Sequence, residues 1–199
     1  MSLQQQLRQQ LKREMSRAIA RAAQDLVRDR GLGSVTVEDI ARAAGVSERT
    51  FFNYFSCKEE AVVGVPEELL AELDAALRAR PKREKPRNAL RAVFTEWIDQ
   101  EAILSRWALR YELVNRYPAL LPQYLAALVE IEASLAKSIS ERMGVDTETD
   151  PSPRVLVAAV LAALRAGISW WEESGRTVPL NRVIDHAFDQ IASAAPRPW

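Results

Sequence analysis

The sequence predicts an all-α protein: a compact three-helix head followed by a larger helical body. Three observations carry this expectation. The 199-residue chain is rich in Ala, Leu, Arg and Glu, with 48% hydrophobic and 27% charged residues, a globular and helix-favouring composition. No run of alternating β-branched residues is long enough for a sheet. Apolar residues instead recur three and four apart between Gly and Pro breaks, the period of a half-buried helix.

The first helix is expected from about Leu7 or Lys12 to Arg30, with Met15, Ala18, Ile19, Ala22, Ala23, Leu26 and Val27 as its apolar stripe. Gly31 and Gly33 stop it. Thr36 is placed to cap a short helix Val37–Ala44, with Asp39 three residues on in the reciprocal capping position. Gly45 ends that helix, and Ser47 caps a third, Glu48–Tyr54. Ser56-Cys57-Lys58-Glu59 matches a Ser-x-x-Glu capping box opening a fourth helix, which Gly64 and Pro66 bend before it resumes as Glu67–Arg80. Pro81–Pro86 reads as a solvated linker. Helices at about 87–100, 102–116, 118–143, 153–174 and 180–195 complete the body. The division expected is a head of residues 1–58 and a body of 59–199.

Composition narrows the function. Residues 1–17 are polar and carry Arg8, Lys12, Arg13 and Arg17, unlike a secretory signal, and the longest apolar run, Val155–Leu164, is about half a membrane span. A cytoplasmic protein without a membrane partner is expected. One cysteine, Cys57, and one histidine, His186, leave no intrachain disulfide and no Cys/His zinc cluster. No nucleophile–base arrangement or phosphate-binding glycine loop is present, so neither an enzyme nor a cofactor is implied. Cys57 beside Lys58 and His186 beside the last helix's stripe invite redox or pH roles, but a small turn residue and an ordinary interface histidine account for them more simply. The zero net charge hides an asymmetry: residues 1–58 carry ten Lys/Arg against six Asp/Glu, and the remainder seventeen against twenty-one. A basic head on an acidic body fits a polyanion-binding module attached to a second function.

Residues 36–55, TVEDIARAAGVSERTFFNYF, meet the physical criteria of a helix-turn-helix. Ile40, Ala41, Ala44, Val46 and Phe51 can fix the interhelical angle, while Ser47, Glu48, Arg49, Thr50, Asn53 and Tyr54 lie outward, able to reach phosphates or base edges. Phe51 and Phe55 belong to the core of the head.

The run from Ile19 to Ala61 closely resembles the DNA-binding domain of TetR-family (tetracycline-repressor-like) transcriptional regulators. The resemblance rests on Thr36-Val37-Glu38-Asp39-Ile40-Ala41, Ala44-Gly45-Val46-Ser47, and Thr50-Phe51-Phe52-Asn53-Tyr54-Phe55 followed by Lys58-Glu59-Glu60. It implies a DNA-contacting set of Thr36, Ser47, Glu48, Arg49, Thr50, Phe52, Asn53, Tyr54 and Lys58. Within it, Thr50 and Tyr54 would bind phosphates, Ser47, Glu48, Arg49 and Asn53 would approach base edges, and Lys58 would bind phosphate beside the fourth helix's N-terminus. Phe52 departs from the tyrosine usual there and would pack against sugar or a thymine methyl. Arg8, Lys12, Arg13 and Arg17 either add phosphate contacts or belong to an unstructured tail.

Two heads about one DNA turn apart would require a homodimer. In residues 155–171, Ala158, Ala159, Ala162, Ala163, Ala166 and Gly167 permit close helix approach, and the last helix has a clean apolar stripe from Leu180 to Ile191. Family members pair their last two helices with their two-fold mates, which points to Leu156, Val160, Leu164, Ile168, Val183, Ile184 and Phe188 as dimer residues. A monomeric core helix is the alternative. Phe94, Trp97, Trp107, Tyr111, Tyr124 and Trp170 are candidate walls of a pocket for a small lipophilic effector, or else packed core. The body also resembles TetR-like regulators that answer to fatty-acyl-CoA-like or other lipophilic ligands, in helix lengths and in Arg110-Tyr111-Glu112-Leu113 before Pro118. A ligand-released repressor bound to a palindromic operator is the function implied; an activator, or a helical interaction protein without DNA binding, are the alternatives.

Overall fold

The computed structural model describes residues 3–63, 67–98 and 101–193. Their regular elements are helical: α1 (Leu3–Arg30), a 3-10 turn (Leu32–Ser34), α2 (Val37–Ala43), α3 (Glu48–Phe52), α4 (Lys58–Val63), α5 (Glu67–Ala79), α6 (Pro86–Ile98), α7 (Glu101–Arg116), a 3-10 turn (Pro118–Leu120), α8 (Leu121–Met143), α9 (Ser152–Glu173) and α10 (Leu180–Ser193). The helix α1 begins at Leu3, so the basic N-terminal segment is helical, and the expectation of an unstructured tail fails for residues 3–17. Helix α3 ends at Phe52, two residues earlier than expected, with Asn53 as its C-cap. Gly64 and Pro66, the expected bend, lie outside the described residues.

The chain forms two compact units, one of residues 1–69 and 109–128, the other of 70–108 and 129–199. They do not follow a single cut after Lys58. In the first, Ile19, Ala23 and Val27 of α1 pack with Ile40 of α2, Phe51 of α3, Val62 of α4 and Leu113 of α7 in one cluster, each fully buried. Gln24 is also buried there and donates from Nε2 to the Val62 carbonyl at 2.9 Å, so a polar side chain sits inside without an unmet donor.

The second unit buries Leu73 and Leu77 of α5, Leu90 and Phe94 of α6, Ile131, Leu135 and Ile139 of α8, and the inner faces of α9 and α10. Each such side chain contributes about 1.5–3 kcal/mol of burial. Gly167 matters to this packing: a Cβ there would lie 3.2 Å from Val183 Cγ1, so α9 and α10 approach closely. Polar ties set the remaining helices. Arg91 of α6 reaches Asp185 at 2.6 Å and Asp189 at 3.3 Å on α10. The Asp74 carboxylate of α5 accepts from Ser138 of α8, and Arg78 pairs with both Asp74 and Glu141. Arg142 donates to the carbonyls of Leu77, Arg80 and Pro81 at 2.6–3.1 Å. Within Pro81–Pro86 the Pro81 carbonyl is thus held by Arg142, and the half-buried Glu84 pairs with Arg80 at 2.9 Å.

Two segments, 118–143 and 152–173, are long and apolar enough to cross a membrane by length and composition. In α9 the large apolar residues Val157, Leu161, Leu164, Ile168 and Trp171 are instead buried within the second unit, as in a core helix.

Candidate nucleic-acid interface

The α2–α3 motif is built from two matched caps around one reversal. Thr36 Oγ1 accepts from the Asp39 amide at 3.1 Å, while Asp39 Oδ2 accepts from the Thr36 amide at 3.1 Å and from its hydroxyl at 2.9 Å. This is a complete capping box, with Asp in place of the usual Glu. The Thr36 hydroxyl and amide hold the Asp39 carboxyl below its ordinary pKa. At the other end of α2, Gly45 adopts φ +71°, its amide bonds Arg42 O, and the Val46 amide bonds Ala41 O at 2.9 Å. Those two bonds around a left-handed residue form a Schellman motif, which is why glycine is needed. Ser47 Oγ then accepts from the Thr50 amide at 3.1 Å and lies 2.9 Å from Thr50 Oγ1, opening α3.

One face of α3 is anchored and the other is open. Phe51 is fully buried and Phe55 nearly so, while Ser47, Glu48, Arg49 and Asn53 are exposed and Thr50 and Tyr54 half-buried. Phe52 is 55% exposed, and its ring meets Phe51 edge-on at 5.4 Å, so an apolar surface stands in the middle of the polar ridge. Thr36 is exposed at the start of α2. The sequence-derived set is thus gathered on the surface of α2 and α3, with one exception.

Lys58 is the exception. Its ammonium donates to the carbonyls of Leu32 and Val35, both at 2.8 Å, and the side chain is half-buried. It ties α4 to the turn after α1 instead of projecting as a phosphate ligand. The expected box at the head of α4 is also shifted by one residue. Glu60, not Glu59, accepts from the Ser56 amide and hydroxyl, each at 2.6 Å, and Cys57 Sγ accepts from the Glu60 amide at 3.4 Å. Cys57 therefore acts as the N-cap, a role that residue-type preferences for caps would not single out.

The aromatic wall candidates are divided between the two units. Phe94 and Trp97 are buried in the second unit and Trp107 is half-buried there, whereas Tyr111 and Tyr124 are half-buried in the first. Arg110 beside Tyr111 is buried, and burial pushes its guanidinium pKa down to about 10, with Tyr124 acting the other way. Trp170 is 53% exposed and lines an open groove of about 590 Å³ on α9 and α10, together with Ala163, Ala166, Gly167, Arg182, His186 and Ile191.

The dimer residues named from the sequence are mostly covered within the protomer. Val160, Leu164, Ile168, Ile184 and Phe188 are buried within the protomer, Val183 is 9% exposed at the groove floor, and Leu156 is half-buried. These stripes face their own unit's core. A stripe reports which side of a helix avoids water, not which molecule covers it.

A capped, exposed recognition helix set by a glycine reversal defines a DNA-binding helix-turn-helix protein. Residues 19–63 match the family of bacterial regulatory proteins called tetR, and residues 82–196 match the MftR C-terminal domain of the same family group. The chain is 37% identical over 156 residues to the HTH-type transcriptional regulator TcmR of Streptomyces glaucescens, covering 75% of this chain and 69% of TcmR. It is 29% identical over 178 residues to MftR of Mycobacterium tuberculosis, covering 88% of each. A Thermus thermophilus FadR, a TetR-family transcriptional repressor in complex with lauroyl-CoA, superposes with a TM-score of 0.56 at 26% identity, over 92% of this chain and 99% of that one. The chain belongs to the tetR family. It is a transcriptional regulator with a DNA-binding head, not an enzyme.

Proposed function

We propose that the chain is a homodimeric repressor that binds a palindromic operator through α2 and α3 and releases it when a small lipophilic effector binds. Residues 1–58 read DNA in this scheme, and 59–199 serve dimerisation and regulation in the cytoplasm. The observation that carries the reading is the α3 ridge: Glu48 and Arg49 on a five-residue helix, with its caps Ser47 and Asn53, are exposed, while the other face is locked by Phe51. Packing alone does not require polar groups in that arrangement, whereas insertion into a major groove does.

The α9–α10 groove supports the dimer. An apolar recess flanked by a half-exposed Trp170 and small residues suits a second copy of the same helices, which would set two heads about 34–36 Å apart. The repressor FadR, bound to lauroyl-CoA, supports an acyl-CoA-like effector, with Phe94, Trp97 and Trp107 of the second unit as candidate contacts. Release follows if effector binds more tightly to a state whose heads no longer match the half-sites.

The test is operator binding. The unaltered chain should enrich a palindromic duplex from a random pool, and Thr50→Ala and Tyr54→Ala should each weaken it while leaving the dimer intact. Addition of lauroyl-CoA should release the duplex. Equal affinity with and without lauroyl-CoA would exclude that ligand as inducer, and unchanged affinity in both variants would refute the docking of α3.

A further inference from the structure

The groove on α9 and α10 is apolar except along one edge. Arg182, His186 and Gln190 recur every four residues of α10, the spacing of a single helical ridge, and all three line the groove. Its floor is Gly167 of α9 against Val183 and Ala187 of α10. His186, the one histidine of the chain, is exposed in the protomer, as is Arg182. Among the described residues neither side chain has a hydrogen-bond or ion-pair partner. The neighbouring acids are engaged elsewhere. Asp185 and Asp189 of α10 are held by Arg91 of α6 at 2.6 and 3.3 Å. On α9, Glu172 pairs with Arg176 of the following turn at 3.0 Å, and Glu173 accepts from Ser169 at 2.8 Å. Neither of those acids lines the groove, and neither does Arg165 of the same helix. Among the described residues the groove's walls thus hold one fixed cation, one imidazole and no carboxylate.

We propose that His186 is a pH switch on self-association: a second copy covers the α9–α10 groove while the imidazole is neutral and leaves it when the imidazole takes a proton. The inference rests on the dimer reading above. An ordinary interface histidine is silent in this respect. His186 differs because Arg182 stands one turn away on the same ridge, at about 5–6 Å between Cβ atoms. Protonation creates a like-charge pair there, which water and salt screen in the free protomer. Closing the groove removes that water, and two-fold symmetry brings each cation in twice, with no acid among the groove's described walls to offset them. The sign follows from linkage. The dimer favours the neutral imidazole, so association is strongest above the imidazole range and weakens as pH falls through it. Operator binding by paired heads weakens with it.

The experiment is sedimentation equilibrium of the full chain across the imidazole range, with far-UV circular dichroism confirming the fold at each pH. The dimer dissociation constant should rise roughly ten-fold or more from about pH 8 to about pH 5.5, with about two protons taken up per dimer that separates. His186→Gln keeps a polar side chain that cannot charge, and should dimerise equally well at both. His186→Lys fixes the cation, and should already dimerise more weakly at about pH 8. A dissociation constant that does not move with pH in the unaltered chain overturns the proposal. So does a glutamine variant that retains the full dependence, which would assign the response to carboxylates. A lysine variant as dimeric as the unaltered chain at about pH 8 overturns it too, because the interface then tolerates the charge. If the unaltered chain is monomeric at about pH 8, the dimer reading falls and this inference with it; if it is a dimer there and only the pH response is missing, the inference falls alone.

Discussion

Replacing Lys58 with methionine separates two roles that the sequence cannot distinguish. Methionine keeps the aliphatic stem but removes an ammonium that bonds Leu32 O and Val35 O at 2.8 Å. Hydrogen bonds to charged groups are worth about 1.5–3 kcal/mol each. One half-exposed ammonium serves both carbonyls, and water can reoccupy them, so the expected loss is about 2 kcal/mol in total. The loss should be confined to the first unit. All five tryptophans lie in residues 70–108 or 129–199, so tryptophan fluorescence reports the second unit. Hydrogen exchange is the assay for the head: amides of α1, α2 and α4 should lose about 2 kcal/mol of protection, while the urea midpoint seen by fluorescence holds. The salt slope of DNA binding should stay unchanged. A phosphate ligand would behave in the opposite way, with protection within about 0.5 kcal/mol of the unaltered chain and a slope reduced by about 0.9 per head. That outcome would refute the structural assignment.

Three further outcomes follow from the same geometry. Gly45→Ala places a side chain at φ +71°, and the left-handed conformation costs an L-residue about 1–2 kcal/mol; head amides should lose that much protection in hydrogen exchange. Asp74→Asn probes the α5–α8 tie. Burial alone would raise the Asp74 pKa, but hydrogen bonds from Arg78 and Ser138 outweigh it and hold the group below its ordinary value. Because the folded-state pKa is depressed, the charge contributes stability above the unfolded value, and that contribution is lost as pH falls through the folded one. The variant should be about 1–2 kcal/mol less stable at neutral pH by urea unfolding, and the gap should close below the ordinary carboxylate range. Trp170→Glu puts a charge into the α9–α10 groove, so sedimentation should show monomers; an intact dimer would place the interface elsewhere.

The recognition motif was legible in the sequence because its devices are local. Thr36 with Asp39, Gly45 and Ser47 each act within three or four residues, and the structure realises all of them. Legibility ended where a side chain had more than one partner in reach. Lys58 follows a phosphate-binding pattern, yet two carbonyls from a turn more than twenty residues away hold it. The Ser56 box was read with Glu59, but Cys57 rather than Ser56 caps the helix, which moves the carboxylate to Glu60. No sequence signal foretold Gln24 bonding Val62 O, because that contact exists only once α4 lies against α1.

The burial of most of the candidate dimer residues within the protomer reflects a subtler ambiguity. Helix α9 is apolar nearly all round, so hydrophobicity cannot choose between its two faces. Side-chain size can. The large residues Val157, Leu161, Leu164, Ile168 and Trp171 are buried in the protomer, where interdigitating bulk is needed to fill space. Ala162 and Ala166 are exposed, with Ala163 and Gly167 half-buried beside them, on the side that carries Trp170 and the groove. Ala162 and Ala166 do little for the protomer's own core but would let a second helix approach closely, whereas Gly167 also serves the contact with Val183 of α10. In the dimer proposed above, the side of α9 left for a partner is the alanine side that carries Trp170. Filling that side with bulk, as in Ala166→Leu, should weaken self-association while leaving protomer stability nearly unchanged, an outcome that sedimentation and urea unfolding would read separately.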